Sequence, residues 1–135
     1  AGLTGRRVIC ITGDGSFQMN IQELATLSRL GLNVKVFVLD NQGYGIIRQT
    51  QDMWLEGRHF ASEFAGLNIF GIADAYGING GVADSYNINA YRVGGYGWQE
   101  DIFGLDEPWL VQVPIAPDAR IVPKLGKGQK FEEVN

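Results

Sequence analysis

Asp14 and Asn41 are the two side chains in this sequence best suited to share a ligand. Each follows an apolar run, residues 8–11 and 34–39, and each lies in a glycine-containing loop, Gly13-Asp14-Gly15-Ser16 and Asp40-Asn41-Gln42-Gly43-Tyr44-Gly45. A carboxylate and a side-chain amide are hard oxygen donors of the kind Mg²⁺ takes in a shell of about six, usually completed by water and phosphate oxygens. Gly15 lets the backbone approach a phosphate closely, and the N–H groups of Gly15 and Ser16 open a helix, where an anion is favoured. This combination predicts a metal-bridged diphosphate.

Convergence of the two loops requires a specific arrangement of elements. Residues 7–12 and 34–39 are rich in β-branched and apolar side chains without regular alternation, the pattern of parallel strands covered on both faces. The amphipathic stretch between them, residues 16–30, is long enough for one crossover helix, and a right-handed strand-helix-strand unit sets the two strands side by side. Their carboxyl ends then open on one crevice, where open α/β sheets bind ligands. Phe17, Ile21, Leu24, Ala25 and Ser28 mark the inner face of the helix. Asn20 with Glu23 predicts a break or restart near residues 19–21, and Gly31 is the expected C-terminal cap. The fold class is therefore α/β, an open parallel sheet with flanking helices.

Gly13-Asp14-Gly15, followed by Asp40-Asn41 some 27 residues after Gly13, resembles the signature of the thiamine-diphosphate-binding domain in acetolactate synthases and their relatives. The resemblance extends over residues 13–17, 19–26 and 45–51. It implies thiamine diphosphate and Mg²⁺ as cofactors, with Asp14, Asn41 and the Gly43 carbonyl as metal ligands. Gly13, Gly15, Ser16, Gly45 and Ile46 join them as cofactor contacts. It also implies decarboxylation of a 2-oxo acid, with or without transfer of the acyl carbanion. The glutamate that protonates the aminopyrimidine ring comes, in the family, from a separate domain, usually of an opposing subunit. Glu23, Glu56, Glu63 and Glu100 do not match it, so no catalytic residue is assigned within the chain, and a homo-oligomer or a partner chain carrying that domain is expected. A non-catalytic remnant or assembly module that keeps the fold is the alternative.

Three positions depart from the acetolactate synthase pattern. Asp40 replaces the first asparagine of a pair, Ile46 stands where Met is usual, and Thr50 stands where a Trp commonly lines the substrate channel. The identity of the 2-oxo acid is left open by these departures. The family also supplies a strand and a helix ahead of the position of Ala1, so the domain is expected to be truncated on its N-terminal side, with an exposed sheet edge as the consequence.

Composition agrees with a folded domain. In 135 residues the chain is 45% apolar and 19% charged, with a net charge of −4. Lys and Arg do not cluster beyond the Lys124-Lys127-Lys130 tail, which argues against a nucleic-acid partner. No apolar run approaches the ~20 residues of a membrane span. The single cysteine, Cys10, is expected as a small buried core residue. With no leader-like segment at its start, the expected compartment is a reducing cytoplasm.

In the remaining sequence, residues 47–54 predict a short helix whose Arg48 and Gln49 face the site entrance. His59, the only histidine, lies in a polar segment without an evident partner and is read as part of a covering loop. Residues 72–79 (IADAYGIN) are echoed by residues 82–89 (VADSYNIN). The expected reading is helix over 69–76, a turn at Gly80-Gly81 and strand over 89–93. A short helix over 97–103 and a final strand over 109–113 follow. Trp54, Trp98 and Trp109 are taken as core or rim residues. The domain organisation is thus a partial cofactor-binding domain over 1–114 and an extended tail over 115–135.

Overall fold

The computed structural model describes residues 1–83, 88–92, 95–96 and 101–120. Among these residues six strands form one sheet in the order β1-β2-β6-β3-β4-β5. They are β1 (Val8–Gly13), β2 (Val34–Asp40), β3 (Asn79–Ala83), β4 (Ile88–Arg92), β5 (Gly95–Tyr96) and β6 (Trp109–Pro114). The first four in that order are parallel, while β4 and β5 extend the far side antiparallel. The helices are α1 (Asp14–Gln18), α2 (Leu24–Leu30), α3 (Gly45–Trp54) and α4 (Ile69–Tyr76).

The crossover helix is broken where Asn20 and Glu23 suggested. A 3₁₀ turn at Ile21–Glu23 separates α1 from α2, and Gly31 closes α2 at φ +55°, a conformation suited to glycine. The break re-phases the helix. Phe17 and Leu24 stay buried in the core, but Ala25 turns outward and Leu27 packs inward in its place.

The main core lies on one face of the sheet, where Val34, Val36, Val38 and Leu110 meet Phe17, Leu24, Ile69 and Ala73 from the helices. On the other face Trp109, Val111 and Ile102 pack with Phe37. Lys35 breaks the apolar pattern of β2 yet is fully buried. Its ammonium donates to the carbonyls of Leu105 (2.8 Å) and Glu107, fixing the turn that leads into β6. Burial, reinforced by Arg7, pushes its pKa down. A buried ammonium persists here because carbonyl acceptors replace its water.

Several expectations are corrected. Residues 8–11 of β1 are exposed, with Ile9 at 55% and Ile11 at 67%, because β1 is the edge strand and its outer neighbours are missing among the described residues. Cys10 is therefore exposed instead of being a core residue. Gly80 and Gly81 form no turn. They lie within β3, where a Cβ on Gly80 would stand 3.0 Å from the Ala73 Cβ, so glycine is needed for close packing of α4 on the sheet. The echoed segments adopt different structures: Ala73 to Tyr76 are helical, whereas Val82 and Ala83 belong to β3. The second echo also passes through residues 84–87, which lie outside the described residues. Of the helix expected over 97–103, residues 97–100 are outside them too, and Ile102–Gly104 is a single 3₁₀ turn.

Candidate functional site

The parallel pairing of β1 with β2 sets Gly13 opposite Leu39, so the chain leaves both strands at the same end of the sheet. Asp14 is the first residue of α1 and is only 2% exposed. Its Oδ1 accepts from the N–H of Gly15 at 2.8 Å, and its Oδ2 accepts from the N–H of Gly43 in the second loop at 3.1 Å. The carboxylate thus joins the two loops directly. Burial holds its pKa above the ordinary carboxylate value and the neighbouring Asp40 adds to the rise, against the lowering effect of the two N–H donors.

Asp40 is nearly as buried. One of its oxygens accepts from the Gln42 N–H at 3.1 Å and the other from the Gln112 side chain on β6. The first bond is an Asx turn, and it holds Gln42 at φ +58°, a left-handed backbone that few non-glycine residues adopt. The second loop is therefore bent sharply just before Gly43.

Three glycines are each closely approached by a neighbour, one by backbone and two by side chains. A Cβ on Gly43 would stand within van der Waals overlap of the Ser62 carbonyl. The segment around Glu63 lies across this loop as a strap, with Tyr44 N–H donating to Ser62 O at 2.8 Å and Phe64 N–H to Gln42 O at 3.2 Å. A Cβ on Gly45 would meet the Asn41 Nδ2 at 2.5 Å, so the Asn41 amide lies over the start of α3. The space beside Gly15, expected to admit a phosphate, is filled by the Tyr44 ring, which packs edge-on against Phe64.

A cavity of about 460 Å³ opens between the loops, and all eight residues predicted as cofactor contacts line it: Gly13, Asp14, Gly15, Ser16, Asn41, Gly43, Gly45 and Ile46. Ile115, Ala119 and Arg120 form its outer wall. The start of the predicted tail is thus part of the site, continuing from β6 through Ile115 N–H, which donates to Asp40 O at 2.8 Å. The rest of that tail, residues 121–135, lies outside the described residues.

Gly45, Ala119 and Arg120 are shared with a second cavity of about 230 Å³ lined by Arg48, Gln49, Asp52, His59 and Glu63. Arg48 and Gln49 accordingly face the region expected of them. His59, for which the sequence offered no partner, has two. Its Nε2 lies 2.7 Å from Asp52 Oδ1, and its Nδ1 lies 3.9 Å from Glu63 Oε1. The other Asp52 oxygen meets Arg120 at 2.6 Å. The His59 contact, followed by Arg120, keeps the Asp52 pKa below the ordinary carboxylate value. The spacing of Arg48 and Asp52, one helical turn apart on α3, was the available sequence signal for a charged face here. Gln51 ties the strap to the same helix through Phe60 and Ser62.

Glu23, Glu56 and Glu63 are exposed and line no part of the larger cavity, and Glu100 lies outside the described residues. Trp109 is in the core and Trp54 on the rim; Trp98 is not among the described residues.

The oxygen donors that line this cavity, a buried carboxylate, an amide and a loop carbonyl, are of the kind that suits a hard cation such as Mg²⁺. Gly43 O accepts from Gly45 N–H at 3.1 Å and keeps a second lone pair. Among the described residues no three His, Cys, Asp or Glu side chains are placed to hold a metal by themselves. A cation here would fill most of its shell with neutral oxygens, phosphate and water. None of the described helices is long and apolar enough to cross a membrane.

Comparison with known proteins agrees with this geometry. The family model described as thiamine pyrophosphate enzyme, C-terminal TPP binding domain, matches residues 1–92. The acetolactate synthase isozyme 1 large subunit of Escherichia coli (strain K12) is 32% identical over 130 residues, covering 96% of this chain and 22% of that protein. The acetolactate synthase large subunit of Cyanidium caldarium is 43% identical over 75 residues, or 54% of this chain and 13% of that protein. Among solved structures, the thiamine diphosphate-dependent 4-hydroxybenzoylformate decarboxylase of Rhodococcus jostii RHA1 superposes with a TM-score of 0.63 at 22% identity, over 82% of this chain and 20% of that one. Benzoylformate decarboxylase from Polynucleobacter necessarius gives 0.64 at 21% identity, over 86% and 21%. At such identities the likeness speaks for the fold alone. The chain spans at most about a fifth of the length of these relatives. With the model matching over two-thirds of its residues, the chain belongs to the C-terminal TPP-binding domain family of thiamine pyrophosphate enzymes.

Proposed function

We propose that this chain is the thiamine-diphosphate- and Mg²⁺-holding part of an acetolactate synthase-like enzyme that decarboxylates a 2-oxo acid and transfers or releases the resulting acyl group. The observation that carries the reading is the buried Asp14 carboxylate, which faces the second loop from a cavity lined by every predicted contact residue. In this reading Asp14, Asn41 and the Gly43 carbonyl hold the metal, while Gly13, Gly15, Ser16, Gly45 and Ile46 bear on the diphosphate end of the cofactor. When bound, thiamine diphosphate supplies the electron sink for cleaving the bond next to a 2-oxo group. This chain's residues bind and orient. Asp14 supplies negative charge where a cation must sit, and Ile46 and Ile115 offer apolar surface along one wall.

Activity belongs to a larger assembly, through a homo-oligomer or a partner chain that supplies the glutamate-bearing domain, in the cytoplasm. A second reading is a non-catalytic remnant or assembly module, favoured by one observation: the Tyr44 ring fills the space beside Gly15 that a phosphate would need. Isothermal titration with thiamine diphosphate and Mg²⁺ should give heat that disappears in Asp14→Ala, and equal heats for the two proteins would discard the first reading. Pyruvate turnover after mixing with a chain carrying the glutamate domain separates the two readings, since a remnant stays inert.

A further inference from the structure

We infer that Arg48 is a positioning residue for the Asn41 loop, holding the metal-binding geometry from behind; the inference rests on the cofactor reading above. Arg48 lies in the first turn of α3, where a cation is disfavoured by the positive end of the helix dipole, and no acidic residue offsets it in that turn. Its position is explained by what it touches. The guanidinium donates to the backbone carbonyl of Asn41 at 3.1 Å and lies 3.8 Å from Glu63, and its side chain is only 11% exposed.

Those two contacts bracket the loop. Asn41 carries the amide assigned to the metal, and Glu63 belongs to the strap whose backbone pairs with Gly43, the residue assigned to supply the carbonyl ligand. One fork-shaped group therefore holds the peptide of one ligand by a hydrogen bond and lies at ion-pair distance from the strap behind another. An ammonium lacks the planar pair of donors needed to reach both partners at once. Without Arg48 the partly buried Asn41 carbonyl loses its donor, and the peptide that carries the Asn41 amide is held less firmly.

The test is calorimetric titration of Mg²⁺ into the full chain at saturating thiamine diphosphate, with thermal melts of the metal-free proteins alongside. Arg48→Met keeps the aliphatic stem and is expected to weaken Mg²⁺ binding about tenfold, as removal of an outer-shell partner does. Its metal-free melting temperature should stay near that of the unaltered chain. Arg48→Lys should recover only part of the affinity. Full recovery by lysine, or Mg²⁺ affinity unchanged in Arg48→Met, overturns the inference and leaves the cofactor reading standing. Equal losses of affinity and of metal-free stability would make Arg48 merely structural and also overturn it. If Arg48→Met does not fold, the lysine variant decides alone by the same comparison. Absence of Mg²⁺-dependent heat in the unaltered chain overturns the cofactor reading, and the inference falls with it.

Discussion

The Asp14 carboxylate stands beside that of Asp40 across the ends of two neighbouring parallel strands, both buried, and no ion pair among the described residues reaches either one. Two acidic groups in so dry a place repel each other and are poorly solvated, a disadvantage that a divalent cation would reverse. The metal-free protein should show this in its pH dependence. Because the folded-state pKa of Asp14 lies above its ordinary value of 3.8, this residue favours folding most at low pH, and its contribution is lost as pH rises through the raised pKa. Melting curves across that window should show the loss in the metal-free chain and a reduced slope in Asp14→Asn. Adding Mg²⁺ with thiamine diphosphate should reverse the trend only in the unaltered chain.

The space beside Gly15 is taken by the Tyr44 ring, so a methyl there has to displace it. Gly15→Ala should destabilise the protein by about 1–3 kcal/mol, the usual effect of overpacking. Combined with Tyr44→Ala it should cost much less than the sum, because the obstacle is gone, giving a coupling of about 1 kcal/mol or more in urea denaturation. Additive effects would show that Gly15 is needed for something other than the ring.

Asp52 holds His59 with one oxygen and Arg120 with the other. Its lowered folded-state pKa means that this linkage is fully present above its unfolded pKa and is lost as pH falls through the folded one. Asp52→Asn should free the segment after β6 at all pH values. Tryptic cleavage after Arg120 should then be several-fold faster at neutral pH, with the melting temperature little changed, because such cleavage follows local opening.

Strand β1, which has no strand on its outer side among the described residues, leaves Val8, Ile9 and Ile11 exposed to solvent. Self-association of the chain should rise with concentration in size-exclusion chromatography. Ile9→Lys should suppress it without unfolding the protein, since charged side chains on an edge discourage pairing. A monomer at high concentration in both proteins would refute the prediction.

The strand ends and the loops at the site were legible because they are local: an apolar run breaking into glycine and a carboxylate reports its own conformation. The crossover helix announced its break through Asn20 and Glu23. What was hidden depends on neighbours distant in sequence. Nothing near Gly80 distinguishes a turn from a strand packed under Ala73, and nothing in the apolar run at Val8 reveals that it lies on an edge. His59 seemed alone because Asp52 and Glu63 meet it only after the strap folds over α3, and nothing within residues 34–39 shows that Lys35 is held by the distant carbonyls of Leu105 and Glu107.

The position of β6 between β2 and β3 has a kinetic consequence. The last of the described strands along the chain is inserted between two made earlier, so β2 can acquire its second neighbour only after residue 114 has been synthesised. During translation β2 must therefore wait with an open flank while β3 has no parallel mate, and closing the sheet requires a long loop before any reward from contact. Such a topology leaves strand edges open in the nascent chain, and slow annealing of the central pair should limit the rate at which the pocket between the strand ends matures.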